Sequence, residues 1–254
     1  MGTADDGRGL LAGGFQAVVF DLFGTLVENF SRSGYQEVWA KAARVMGTSA
    51  EGVARVWMST FPERTLHYPR RTDEDLELVC VHLGVQAEGQ AFATVAQMRR
   101  DLSRRQMAPR DGALEVLTKL RAMNLKLGLI SDCTAEVPQL WPESPFAPLF
   151  DVAVFSCVEG IKKPDPVIYH RACVRLRVAP GNCLYVGDGG SQELTGAQRA
   201  GLHPVLLAIP GEDNPDVVRF DAEQWTGTRV KALSEVLAHV SSREAEDSSG
   251  SGNA

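Results

Sequence analysis

The chain has 254 residues, 44% of them apolar and 23% charged, with a formal net charge of −6. That length suits one large domain plus a smaller one, and the composition is that of an ordinary globular protein. A net-negative chain offers no broad basic field for nucleic acid, and no apolar run approaches the roughly 20 residues that span a bilayer.

Residues 1–14 are small and Gly-rich, with no basic start followed by a long apolar core, so no signal peptide is expected. Ala17 to Phe20 reads as a first strand. From Glu28 to Ala108 no strand pattern occurs; helical periodicities cover Tyr35 to Val45, Ala50 to Phe61, Glu74 to His82 and Gln90 to Arg105. Strands are then expected at Leu125 to Ile130, Val152 to Phe155, Leu184 to Val186 and Pro204 to Ala208. Helices between them are expected at Gly112 to Met123, Asp165 to Arg177 and Gln192 to Ala200. Continuous rather than alternating apolar runs suit strands buried on both faces, and their alternation with helices favours a doubly wound parallel sheet. The expected division is an α/β core of residues 15–27 and 109–240, an inserted all-helical domain of 28–108, and disorder at 1–14 and 241–254. A cleft between the two domains is the expected working site. Five scattered cysteines, odd in number and never spaced as Cys-x-x-Cys, fit a reducing, cytoplasmic setting.

In an open α/β sheet, ligands sit beyond the carboxyl ends of the strands. There the sequence sets Asp21-Leu22-Phe23-Gly24-Thr25, Ser131-Asp132, Lys163-Pro164-Asp165-Pro166 and Gly187-Asp188 through Glu193. Singly, each has an ordinary reading: Asp21 or Ser131 as a helix cap, Lys163 as a surface lysine, the prolines as loop shapers. Together they supply a phosphoryl-transfer site. A carboxylate, Asp21, can attack phosphorus. Asp21 and Asp188 are hard ligands for a divalent ion, with Glu193 as a further acid. Lys163 and the Ser131 hydroxyl can cradle the equatorial oxygens, and Thr25 and Asp132 are candidate substrate-binding neighbours.

With these four motifs in order, the chain resembles the haloacid dehalogenase-like hydrolase superfamily over roughly residues 15 to 240. The resemblance implies a Rossmann-like core with a helical cap inserted after the first motif. It also implies Asp21 as nucleophile, with Asp188 and the Phe23 main-chain carbonyl as Mg2+ ligands; the carboxylates of Asp21 and Glu193 complete the expected metal set. One position departs from the pattern. Phosphatases of the family usually carry a second Asp two residues after the nucleophile, to protonate the leaving group, and here that residue is Phe23.

The expected function is Mg2+-dependent hydrolysis of small phosphorylated metabolites through an aspartyl-phosphate on Asp21. Two alternatives stand beside it: 2-haloacid dehalogenation, and binding of a phosphorylated ligand without turnover. A phosphonatase would need a cap lysine, and Lys41 is the one lysine there, on a helical run that favours a solvent-facing role. The expected partner is a small phosphorylated or anionic molecule, taken by a monomer or homodimer, with no nucleic acid and no membrane. His67-Tyr68-Pro69-Arg70-Arg71 offers Arg70 and Arg71 to grip a second anionic group. Trp39, Trp57 and Phe61 are expected in the core of the helical insert rather than at the substrate.

Overall fold

The structure is a computed structural model that describes residues 14–68, 74–86, 89–212 and 216–241. Six strands, β1 (Ala17–Phe20), β2 (Lys126–Ser131), β3 (Val152–Phe155), β4 (Cys183–Gly187), β5 (His203–Leu207) and β6 (Arg229–Val230), form one sheet in the order β3-β2-β1-β4-β5-β6. Every pairing is parallel. β1 lies between β2 and β4, so the crossovers leave it in both directions and open a crevice at its carboxyl end.

Between β1 and β2 the chain forms α1 (Arg32–Met46), α2 (Ala50–Ser59), α3 (Phe61–Arg64), α4 (Glu74–Leu83) and α5 (Gly89–Gln106). After β2's approach helix α6 (Ala113–Ala122) come α7 (Glu136–Leu140), α8 (Ser156–Glu159), α9 (Pro166–Leu176), α10 (Glu193–Arg199) and α11 (Phe220–Gln224). Side chains of β1 alternate between two layers. Val18 and Phe20 join Leu117 of α6 and Val137 of α7; Ala17 and Val19 join Ile168 of α9 and Leu194 of α10. Burial on both faces explains why β1 and β4 read as unbroken apolar runs.

Local signals set the helix ends. Ser49 caps α2 by accepting from Gly52 N at 3.0 Å, and Asp165 caps α9 by accepting from Val167 N at 2.9 Å with Pro166 at the first position. Helices α1–α5 bury their own apolar cluster, including Trp39, Val53, Trp57, Leu76 and Phe92, apart from both sheet layers.

This helical segment leaves and re-enters the sheet side by side. Val27 and Pro109 form an antiparallel bridge, and Arg110 N donates to Leu26 O at 2.9 Å. The Arg110 guanidinium donates to Gly24 O at 3.2 Å and Val27 O at 3.4 Å, and pairs with Glu212. A second tie lies deeper: Arg99 of α5 meets Glu136 of α7 at 2.5 Å and Asp75 of α4 at 2.8 Å. No helix among the described residues is long and apolar enough to cross a membrane.

Candidate active site

β1 hands directly to Asp21, whose N–H extends the sheet ladder to Val186 O at 2.9 Å. The chain then turns tightly. Leu22 O accepts from Leu26 N at 2.9 Å, and Gly24 N donates to Val27 O at 2.9 Å. Gly24 has φ +82°, and a Cβ there would overlap Asp188 Oδ2, so glycine is what lets the turn lie against Asp188. Thr25 Oγ1 donates to Asp21 Oδ2 at 3.3 Å.

The other strand ends deliver the remaining groups. Ser131, the last residue of β2, is fully buried, and its Oγ has no hydrogen-bond partner. Asp132 Oδ1 accepts from the Lys163 main-chain N at 3.1 Å. The Lys163 ammonium bridges two acids, 2.5 Å from Asp21 Oδ1 and 2.5 Å from Glu193 Oε2. Tyr185 Oη also donates to Glu193 Oε2 at 2.8 Å, and Gly189 N to Oε1 at 3.0 Å. Asp188 follows β4. Its Oδ1 accepts from Gly190 N at 2.9 Å, its Oδ2 accepts from Asn29 Nδ2 at 2.8 Å, and Arg219 Nε lies 3.0 Å from Oδ2.

Asp21, Asp188, Glu193 and Lys163 are all buried, at 5%, 3%, 0% and 4% exposure. Burial pushes the Asp21 carboxyl up to about 6; Lys163 opposes the rise and Asp188 adds to it. Burial and then Glu193 push Asp188 up to about 6. Burial and then Asp21 push Glu193 up to about 7, against Lys163. Burial alone would lower the Lys163 ammonium, but Asp21, Glu193 and Asp132 hold it well above its ordinary value. Negative charge is therefore in surplus, with one carboxylate oxygen from each of Asp21, Asp188 and Glu193 within 4.8 Å of the other two.

A cavity of about 280 Å³ opens over this cluster. Its floor includes Asp21, Asp132, Lys163, Asp188 and Glu193; its walls include Phe30, Tyr35, Trp57, Phe61 and Arg64. Trp57 both joins the α1–α5 core and faces the cavity, and Phe61 lines it with 43% exposure, so the expectation that both are core alone is corrected. Trp39 belongs to the helical core and does not line the cavity, nor does Lys41. Arg70 and Arg71 lie outside the described residues. Asn29, Arg64 and Arg219 are site neighbours that the sequence pattern does not single out.

Comparison with known proteins agrees with this architecture. A family model described as haloacid dehalogenase-like hydrolase matches residues 15–201. The chain is 28% identical over 202 residues to a glyceraldehyde 3-phosphate phosphatase of Methanopyrus kandleri, covering 76% of this chain and 83% of the relative. It is 26% identical over 195 residues to an (S)-2-haloacid dehalogenase of Pseudomonas putida, covering 74% and 83%. Among solved structures, a HAD phosphatase from Thermococcus onnurineus superposes with a TM-score of 0.61 at 20% identity, covering 89% of this chain and 97% of that one. With the family model spanning well over half its length, this chain belongs to the haloacid dehalogenase-like hydrolases.

Proposed function

We propose that the protein is a Mg2+-dependent phosphatase of small phosphorylated metabolites, working through an aspartyl-phosphate on Asp21, with helices α1–α5 as its cap. The observation that carries this reading is the meeting of Asp21, Asp188 and Glu193 around Lys163 at one sheet edge. A hard divalent ion fits a buried, oxygen-only donor set with surplus negative charge. Asp21, Asp188 and the Phe23 carbonyl would hold it, with Glu193 as the third acid of the cluster. When bound, Mg2+ cancels repulsion between the carboxylates and an incoming phosphate.

The chain's own groups do the rest. Asp21 attacks phosphorus as the ester P–O bond breaks, and water then cleaves the aspartyl-phosphate. Lys163 and the unpartnered Ser131 hydroxyl hold non-bridging oxygens, where charge collects. Phe23 transfers no proton, so substrates with good leaving groups are favoured. The decisive experiment is phosphate release across a panel of phosphate esters and acyl phosphates. Activity should require Mg2+, vanish in EDTA and vanish in Asp21→Asn with the fold intact. Equal activity with and without metal would sink the proposal.

One observation favours a second reading: the walls are strongly apolar, with Phe23 at the position of the usual acid. Asp21 attack on carbon of a 2-haloacid suits such walls. Halide release in EDTA would select it.

A further inference from the structure

Arg64 is a buried charge with an incomplete set of partners. It ends α3 at 1% exposure, stacked with its Cζ 4.2 Å from the Trp57 ring. Its Nη2 donates to Trp57 O at 2.7 Å and its Nε to Thr60 Oγ1 at 3.3 Å. Its ion partner, Asp75, is 3.8 Å from Nη1, beyond hydrogen-bond reach, while Arg99 holds the same Asp75 oxygen at 2.8 Å and Glu136 at 2.5 Å. Arg99 thus takes both carboxylates at close range, and Arg64 keeps a distant share of one. Burial, then the neighbouring Arg99, lowers the Arg64 guanidinium to about 10, and Asp75 and Glu136 only partly oppose the fall.

This cation lines the same cavity as the Asp21–Lys163 floor, among Tyr35, Trp57 and Phe61. A guanidinium fork matches a planar carboxylate, and aromatic walls favour a flat apolar body. A second phosphate is a poorer match, because the substrate's first phosphate already brings a dianion into the same cavity and a second dianion adds more repulsion than a monoanion. We propose that Arg64 recognises a carboxylate on the substrate's organic part, so that the preferred substrates are small phosphate esters with a flat apolar body ending in a carboxylate. The inference rests on the phosphoryl-transfer reading for the other end of the molecule.

The test is calorimetric and uses the full chain carrying Asp21→Asn, in Mg2+. The probes are 4-carboxyphenyl phosphate and its uncharged twin, 4-carbamoylphenyl phosphate. The carboxylate is expected to bind at least about tenfold tighter, and adding Arg64→Met should bring that ratio below about threefold. Arg64→Lys, which keeps charge but loses the fork, should give an intermediate ratio, and it serves alone if the methionine variant does not fold. A ratio near one before Arg64 is changed overturns the inference. So does a ratio that survives Arg64→Met while both affinities fall, the result expected of a merely structural arginine. Benzoate and inorganic phosphate, titrated separately, tell the two ideas apart. Arg64-dependent benzoate binding with no phosphate binding, in Asp21→Asn and wild type alike, would remove the phosphoryl reading and leave the carboxylate subsite standing. Phosphate binding with benzoate indifferent to Arg64 would do the reverse.

Discussion

Lys163→Met removes the one ammonium that bridges Asp21 and Glu193, each at 2.5 Å. In the metal-free protein three buried carboxylates then face one another, and losing one partner of a buried ion pair costs about 3–5 kcal/mol. The loss should depend on pH. A carboxyl whose folded pKa lies above its unfolded value stabilises the fold fully below the unfolded value and stops doing so as pH rises through the folded one. Asp21 rises from 3.8 to about 6, Asp188 from 3.8 to about 6 and Glu193 from 4.5 to about 7. The rise at Asp21 alone is worth about 3 kcal/mol, so metal-free wild type already weakens across this window. Lys163 stays charged throughout it, since its own value is raised further. Without Lys163 the carboxyls hold their protons to still higher pH. Urea unfolding in EDTA should therefore show the full penalty at pH 8 and a much smaller one at pH 5, where protons stand in for the lysine. Mg2+ at pH 8 should recover part of it. A penalty under about 1 kcal/mol at pH 8, or equal penalties at both pH values, would refute the reasoning.

Three further outcomes are expected. Gly24→Ala puts a Cβ on Asp188 Oδ2 at a φ of +82°, a left-handed conformation that costs about 1–2 kcal/mol for a side-chain residue; Mg2+ affinity by calorimetry should fall, and an unchanged affinity would clear Asp188 of a ligand role. Phe23→Asp should raise phosphate release by about 10²–10⁴ in steady-state assays if the wild type lacks only a proton donor, and no rise would locate the limitation elsewhere. Glu136→Gln removes the negative charge 2.5 Å from Arg99 and leaves Arg99 and Arg64 to share Asp75, which should cost about 3 kcal/mol in urea unfolding; adding Arg99→Met should recover part of this, and a further loss would argue against a surplus of positive charge there.

Much of the sheet could be read from the sequence because β1 and β4 bury every residue, which leaves an unbroken apolar signal with polar clusters just beyond it. Asp21, Ser131 and Asp188 were legible for that reason: strand ends mark them, whereas Lys163, eight residues past the end of β3 and beyond α8, was legible only through the Pro164-Asp165-Pro166 run that follows it. β6 was not, since Arg229–Val230 is a two-residue edge strand with one exposed member. Arg64 was hidden because an arginine between helices ordinarily faces water, and its burial depends on Trp57 and on Asp75 and Arg99 from later helices. Asn29 and Arg219 meet Asp188 from far along the chain, 159 residues away for Asn29, and no local spacing encodes such a meeting. Trp57 shows a different limit: a helical apolar stripe tells that a ring is buried, not that one edge of it also borders a cavity.

The stitched neck at Val27, Pro109 and Arg110 has an evolutionary consequence. Because the outgoing and returning chains are neighbours, everything from α1 to α5 can be lengthened, shortened or swapped at little cost in loop closure. Such an exchange would replace Tyr35, Trp57, Phe61 and Arg64 together while Asp21, Lys163, Asp188 and Glu193 kept their places. One reaction chemistry can thus be refitted to new molecules by trading a single contiguous stretch of gene.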